Sequence, residues 1–176
     1  MKGLYKGIIS AALIGTMLMS AAGCTKFEVI GYKDFRAALE DEAGIDESSC
    51  STGKDRRHDG YEMKRYIEGE KGNCEFAFYE FDKEKDAVEY FEKQYDEFLD
   101  AVEDDDEFEG SHKESFDEDS ATGYIIFDGE VEENGRVYGG IYLKENTIVS
   151  AMSVGSKDKD IERIDGVLDA IGYPKP

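Results

Sequence analysis

From residue 32 onward, apolar positions recur at the spacings of packed helices and strands. Over residues 32–43, Phe35, Ala38 and Leu39 fall on one helix face. Gly44 followed by Ile45 has the composition of a left-handed stop with its apolar contact. Residues 46–59 hold Ser, Gly and charged side chains with scarcely an apolar one, and a long loop is expected there. Residues 61–67 and 74–81 are rich in aromatic and β-branched side chains, and Glu68-Gly69-Glu70-Lys71-Gly72-Asn73 between them is turn composition, so the pair predicts a hairpin. Asp82 is placed to cap a helix over residues 83–103. That helix stacks Ala87, Val88, Phe91, Tyr95, Phe98, Leu99 and Val102 in one stripe, the pattern of a buried face rather than of a cofactor box. Residues 122–131, 136–144 and 147–154 predict a three-stranded meander turning at Asn134-Gly135 and at Glu145-Asn146. A last helix, capped at Ser156 or Asp158, carries Ile161, Ile164, Leu168 and Ile171 and stops at Gly172 and Pro174. The order is α-β-β-α-β-β-β-α. Hairpins without crossovers predict an α+β fold, a two-layer sandwich in which an antiparallel sheet of about five strands carries its helices on one face. A single domain is expected over residues 32–176.

The residues before this pattern have a different character. Lys2 and Lys6 precede an apolar run over residues 8–19, and Ser20, Ala21, Ala22 and Gly23 follow it, which is the layout of a secretory signal. The run is about a dozen residues, whereas a helix that spans a bilayer needs roughly 20. Ala21-Ala22-Gly23-Cys24 resembles the lipobox of bacterial lipoproteins, with Ala21 where Leu is commonest. The resemblance covers residues 1–24. It implies cleavage between Gly23 and Cys24, a diacylglyceryl thioether on Cys24, and a protein held by acyl chains at the extracytoplasmic face of the cell membrane. Residues 24–31 would then be a tether that reaches at most ~27 Å.

Charge sharpens this picture. The chain has a net charge of -21, and loss of residues 1–23 removes two lysines and no acid, leaving the mature form more negative still. Such a domain repels phosphate polyanions, which excludes nucleic acid as a partner. With 40% hydrophobic residues, 11 Tyr and 10 Phe, it still has the means to build a core. An odd cysteine count is resolved if Cys24 is acylated, leaving Cys50 and Cys74 either as a disulfide or as two free thiols. Bonded, they would close a loop of about 25 residues, worth roughly 3 kcal/mol.

Candidate chemistry is sparse. His58 and His112 are the only imidazoles, both in polar sequence, and no nucleophile elbow, zinc-protease or phosphate-loop motif is present. The acidic stretch over residues 103–107 suits a hard cation such as Ca²⁺. An EF-hand-like start supplies Asp105, Glu107 and Glu109 as weak metal candidates, but Phe116 stands where the closing Glu belongs. Cys50, His58 and Cys74 are zinc ligand types at a spacing that matches no known zinc arrangement. Lys54, Arg56, Arg57, Lys64 and Arg65 form the one basic patch, able either to dock an acidic partner or to neutralise nearby carboxylates. No cofactor is implied. By elimination the expectation is a non-enzymatic binding or interaction domain whose partner is another envelope protein or a small ligand. A Ca²⁺-responsive acidic module and a carboxylate-based enzyme are the alternatives. A sheet face that forms a pocket lined by Tyr and Phe would mark a small-molecule site.

Overall fold

The computed structural model describes residues 27–58, 60–103, 108–131 and 135–176, apart from the side chains of residues 55, 56, 58 and 101–103. Helix α1, Tyr32–Ala38, runs into a wider π turn at Leu39–Ala43. Gly44 ends it at φ 64°, and the Ile45 N–H donates to the Leu39 carbonyl at 2.9 Å. Strands β1 (Ser51–His58), β2 (Tyr61–Lys71) and β3 (Cys74–Phe81) lead to helix α2 (Glu84–Glu103). Strands β4 (Phe108–Asp117), β5 (Thr122–Val131), β6 (Gly135–Lys144) and β7 (Thr147–Val154) lead to helix α3 (Asp158–Ile171). The seven strands make one sheet in the order β1-β2-β3-β7-β6-β5-β4, antiparallel at every pairing. Two meanders thus meet where β3 pairs with β7, and α2 carries the chain from the middle of the sheet to its far edge. No helix among the described residues is long and apolar enough to cross a membrane.

The α+β class and the antiparallel sheet agree with the sequence pattern, but the layering does not. Phe76 and Phe78 of β3 and Val149 and Ala151 of β7 face one side; Ala77, Tyr79 and Phe81 with Ile148 and Met152 face the other. Strands that are apolar on both sides must be covered on both. Leu39, Ile164, Val167 and Leu168 of the π turn and α3 cover the first face, and Ala87, Val88, Tyr90 and Phe91 of α2 cover the second. The expected two-layer sandwich is therefore corrected to three layers.

The strand count is corrected too, from about five to seven. The two additions, β1 and β4, are the sheet's edges. Strand β1 has no apolar residue at all, and β4 has only Phe108 and Phe116. Charged, polar edges resist pairing with other chains, and the same composition hides them from a search for apolar alternation.

The packed domain also starts before residue 32. Phe27 is buried against Tyr173, ring centroids 4.7 Å apart, and edge-on to Tyr142 at 5.9 Å. Phe27 thus belongs to the packed domain, although residues 24–31 were expected to be tether.

Helix α3 is pinned by a buried ionic contact. The Asp160 carboxylate accepts from Arg163 Nη1 at 2.9 Å and from the Lys157 N–H at 3.3 Å, capping the helix. The Cys74 thiol donates to the Asp160 carbonyl at 3.4 Å. At Gly72, in the β2–β3 turn at φ 65°, a Cβ would stand 2.8 Å from Asp160 Oδ1, so the turn closes over the pair only as glycine. Asp160 is 5% exposed, and the Arg163 side chain 13%. Removing one partner leaves the other as an uncompensated buried charge. Asp160→Ala is expected to cost about 3–5 kcal/mol of unfolding free energy, lowering the melting temperature by roughly 10 °C, and Asp160→Asn less than half of that. Denaturant titration checks both.

Candidate functional site

The register of the α2 face lines up side chains in rows. Glu68 of β2, Ala77 of β3, Ser150 of β7 and Ile141 of β6 form one row. On one side of it lie Tyr66, Tyr79 and Ile148; on the other, Glu70, Glu75, Met152 and Gly139. Two small side chains, Ala77 and Ser150, thus sit between the longer Glu68 and Ile141, and Ile141 stays half-buried although it is in mid-sheet. Ala77 and Ser150 are themselves buried, at 6% and 4% exposure.

Helix α2 forms one wall of this region. Tyr90 packs on Tyr79 at 6.0 Å between ring centroids, and Phe98, two turns later, packs on Phe127 at 6.2 Å. Gln94 lies halfway between them on the same stripe. Gln94 is 9% exposed and Ser150 4%, yet among the described residues neither side chain has a hydrogen-bond partner. Buried polar groups pair or meet water. Among the described residues only Glu68 Oε2 is both closed to solvent and unpartnered, so the Gln94 amide and the Ser150 hydroxyl keep a narrow contact with solvent.

The opposite wall is acidic and aromatic. Tyr79 Oη donates to Glu68 Oε1 at 2.9 Å, while Glu68 Oε2 has no donor. Burial, and then the charge of Glu70 across the strand pair, push the Glu75 carboxyl above its ordinary value. The Tyr66 ring lies over Gly53 of β1, where a Cβ would come within 2.4 Å of Tyr66 Cε1. Gly53 is therefore what lets this ring lie against the sheet.

The residues singled out from sequence are scattered by comparison. Gly23, Cys24, Asp105 and Glu107 lie outside the described residues. Glu109 is exposed on the edge strand β4, opposite Glu130. No group of three potential ligands among the described residues is placed to hold a metal ion. The zinc set does not assemble, because Cys50 directly precedes β1 and His58 ends it, about 26 Å of extended chain apart. His112 is half-buried on β4, edge-on to Phe98 at 5.5 Å and 3.5 Å from Glu114. Lys64 and Arg65 both reach Glu80, which is the neutralising role.

Cys50 and Cys74 are free thiols. Strand β2 runs between them: Cys50 adjoins Ser51, which faces Glu68, whereas Cys74 faces Lys71. Burial, and then the charge of Asp160, push the Cys74 thiol up to about 11. Burial also raises Cys50. The residues that sequence reasoning missed are Glu68, assigned to a turn, and Ser150 and Gln94, which are lone polar residues in otherwise apolar stripes. That interruption was their one visible signal.

No family model, curated protein or solved structure matches the chain, so its own geometry is what the site is read from.

Thiolate is the reactive form of cysteine. Its raised value keeps Cys74 protonated, and the stability this lends is present below the ordinary value of 9.0 and lost as the pH rises through about 11. In native protein at pH 8, Cys74 is expected to alkylate roughly a hundredfold or more slowly than in denaturant. Peptide mass mapping without reductant should find both Cys50 and Cys74 labelled after unfolding. A pair that labels only after reduction would contradict the free-thiol state.

Proposed function

We propose that this chain is an exported lipoprotein, anchored through Cys24 at the extracytoplasmic face of the cell membrane, whose domain binds a small ligand without chemically changing it. The observation that carries the binding part is the pair Gln94 and Ser150, polar side chains nearly buried beside the apolar α2 face, which have no hydrogen-bond partner among the described residues. Such groups are costly to bury unless something pairs with them. A few polar groups set against apolar and aromatic side chains are the usual make-up of small-molecule sites. The anchor rests on Lys2, Lys6, the apolar run and Ala21-Ala22-Gly23-Cys24. The short tether supports a domain held close to the bilayer, with the surface around Phe27 and the end of α3 nearest to it. Its negative charge keeps it from inserting among anionic headgroups.

A carboxylate-based enzyme is the second reading, favoured by one observation: Glu70 and Glu75 face each other across β2 and β3, beside Glu68. Recovery of a bound ligand unchanged separates the first reading from the second. Mass spectrometry of the membrane fraction from cells expressing the full chain is expected to find an N-terminal peptide beginning at diacylated Cys24. In the Cys24→Ser variant the precursor should remain uncleaved. A retained Met1, or an unmodified sulfur at Cys24 in the wild type, would reject the anchor.

A further inference from the structure

We propose that residues 27–30 are a rigid mount: packed against the end of α3, they hold that end of the domain against the lipid headgroups of the membrane in which Cys24 is anchored. This rests on the Cys24 anchor and specifies how the domain stands on it.

The first ground is that this segment belongs to the fold. The Phe27 ring, 4% exposed, packs on Tyr173 just past α3 and edge-on to Tyr142 of β6. Tyr142 Oη donates to the Pro174 carbonyl at 2.6 Å, and the Tyr173 N–H donates to the Leu168 carbonyl at 2.9 Å. The surface on which Phe27 rests is thus tied to both β6 and α3. Ile30 is 8% exposed, and the Gly31 carbonyl accepts from the Asp34 and Phe35 N–H groups of α1. The segment is fixed at Phe27, at Ile30 and at its entry into α1.

The second ground is reach. Phe27 stands three residues after Cys24, and whatever path the chain takes between them, it spans at most about 11 Å. A domain of about 150 residues has a radius of gyration of roughly 15 Å. The link is shorter than that radius, so the domain cannot swing its far side round to the bilayer. A diacylglyceryl group carries two acyl chains, enough to keep Cys24 at the surface.

The third ground is charge. The chain is 36% charged and has 42 acids, and an acidic surface is repelled by anionic headgroups over a Debye length of about 8 Å. Residues 27–31 and 170–174 carry a single charge between them, that of Glu28. Beside them Asp169 and Lys175 pair at 2.6 Å and cancel. Val29, 40% exposed, adds apolar surface to the same stretch. The end of the domain that the short link brings to the bilayer is therefore an end that costs little to press against it.

The chain has no tryptophan, so a single introduced one reports alone. Ala170 and Lys159 are exposed at opposite ends of α3; eleven residues apart, they lie on one side of the helix, about 16 Å from each other. The test uses the full lipidated chain in phosphatidylcholine vesicles that contain a lipid with a nitroxide on its headgroup. Fluorescence of Ala170→Trp is expected to be quenched about threefold more than that of Lys159→Trp. Ten Gly and Ser residues inserted between Lys26 and Phe27 leave the packed domain untouched and add roughly 18 Å of reach, and with them the two reporters should converge. Phe27→Ala, shown to be folded by circular dichroism, should narrow the difference as well. Equal quenching of the two reporters in the lipidated chain would overturn the mount while the anchor stands. A difference that survives the insertion would show that the short link does not orient the domain, and the proposal fails. If the chain carries no acyl group and neither reporter is quenched, the anchor reading falls together with the proposal.

Discussion

The pairing of β3 with β7 is the contact on which the rest of the molecule depends. It joins the two meanders, and its strands are apolar on both faces. Neither strand can be left open to water on either side, so the chain has to supply a helical layer above and below. The identity of the layers follows from connection: α1 and α3 flank the meanders in sequence and take one face, while α2, the link between the meanders, takes the other. A sheet of this width with a single helical layer would leave Phe76 and Phe78, or Tyr79 and Phe81, in solvent. At about 25 cal/mol per Å² of apolar area, exposing two aromatic side chains costs several kcal/mol, which is a large share of a typical domain's total stability.

The same constraint produces the candidate site. Helix α2 must travel from the end of β3 to the start of β4 at the far edge, so it crosses the sheet obliquely and cannot cover the whole face. The row beside it on β2, β3 and β7 carries Glu68 with the small, buried side chains Ala77 and Ser150. Tyr66 fits there because Gly53 gives it room, and Tyr79 is tied to Glu68. The site is thus bounded by a helix wall that is fixed by the topology and by a strand wall that is fixed by the register.

The three helices and five inner strands were legible in the chain because each buries a regular stripe: Phe91 and Phe98 repeat at helical spacing, and Ile125 and Phe127 alternate along β5. The helical stop at Gly44 and Ile45 was legible for the same local reason. Strands β1 and β4 were not, since an edge strand buries little and shows no period. The doubled covering was misread because Phe76-Ala77-Phe78-Tyr79 has no alternation, and a continuous apolar run says buried without saying on how many sides. Glu68 was lost to a turn because the Gly69 and Gly72 around it look like turn residues, while β2 continues through to Lys71. A row of side chains made by register between strands distant in sequence leaves no local trace, and for that reason Ser150 and Gln94 were passed over as ordinary polar interruptions.

Native-state hydrogen exchange followed residue by residue measures the weight of the central pairing most directly. The amides of β3 and β7 should exchange only through global unfolding and share one protection free energy, with β1 and β4 opening earlier and independently. Central amides that exchange as fast as those of the edge strands would contradict a fold organised around the β3–β7 contact.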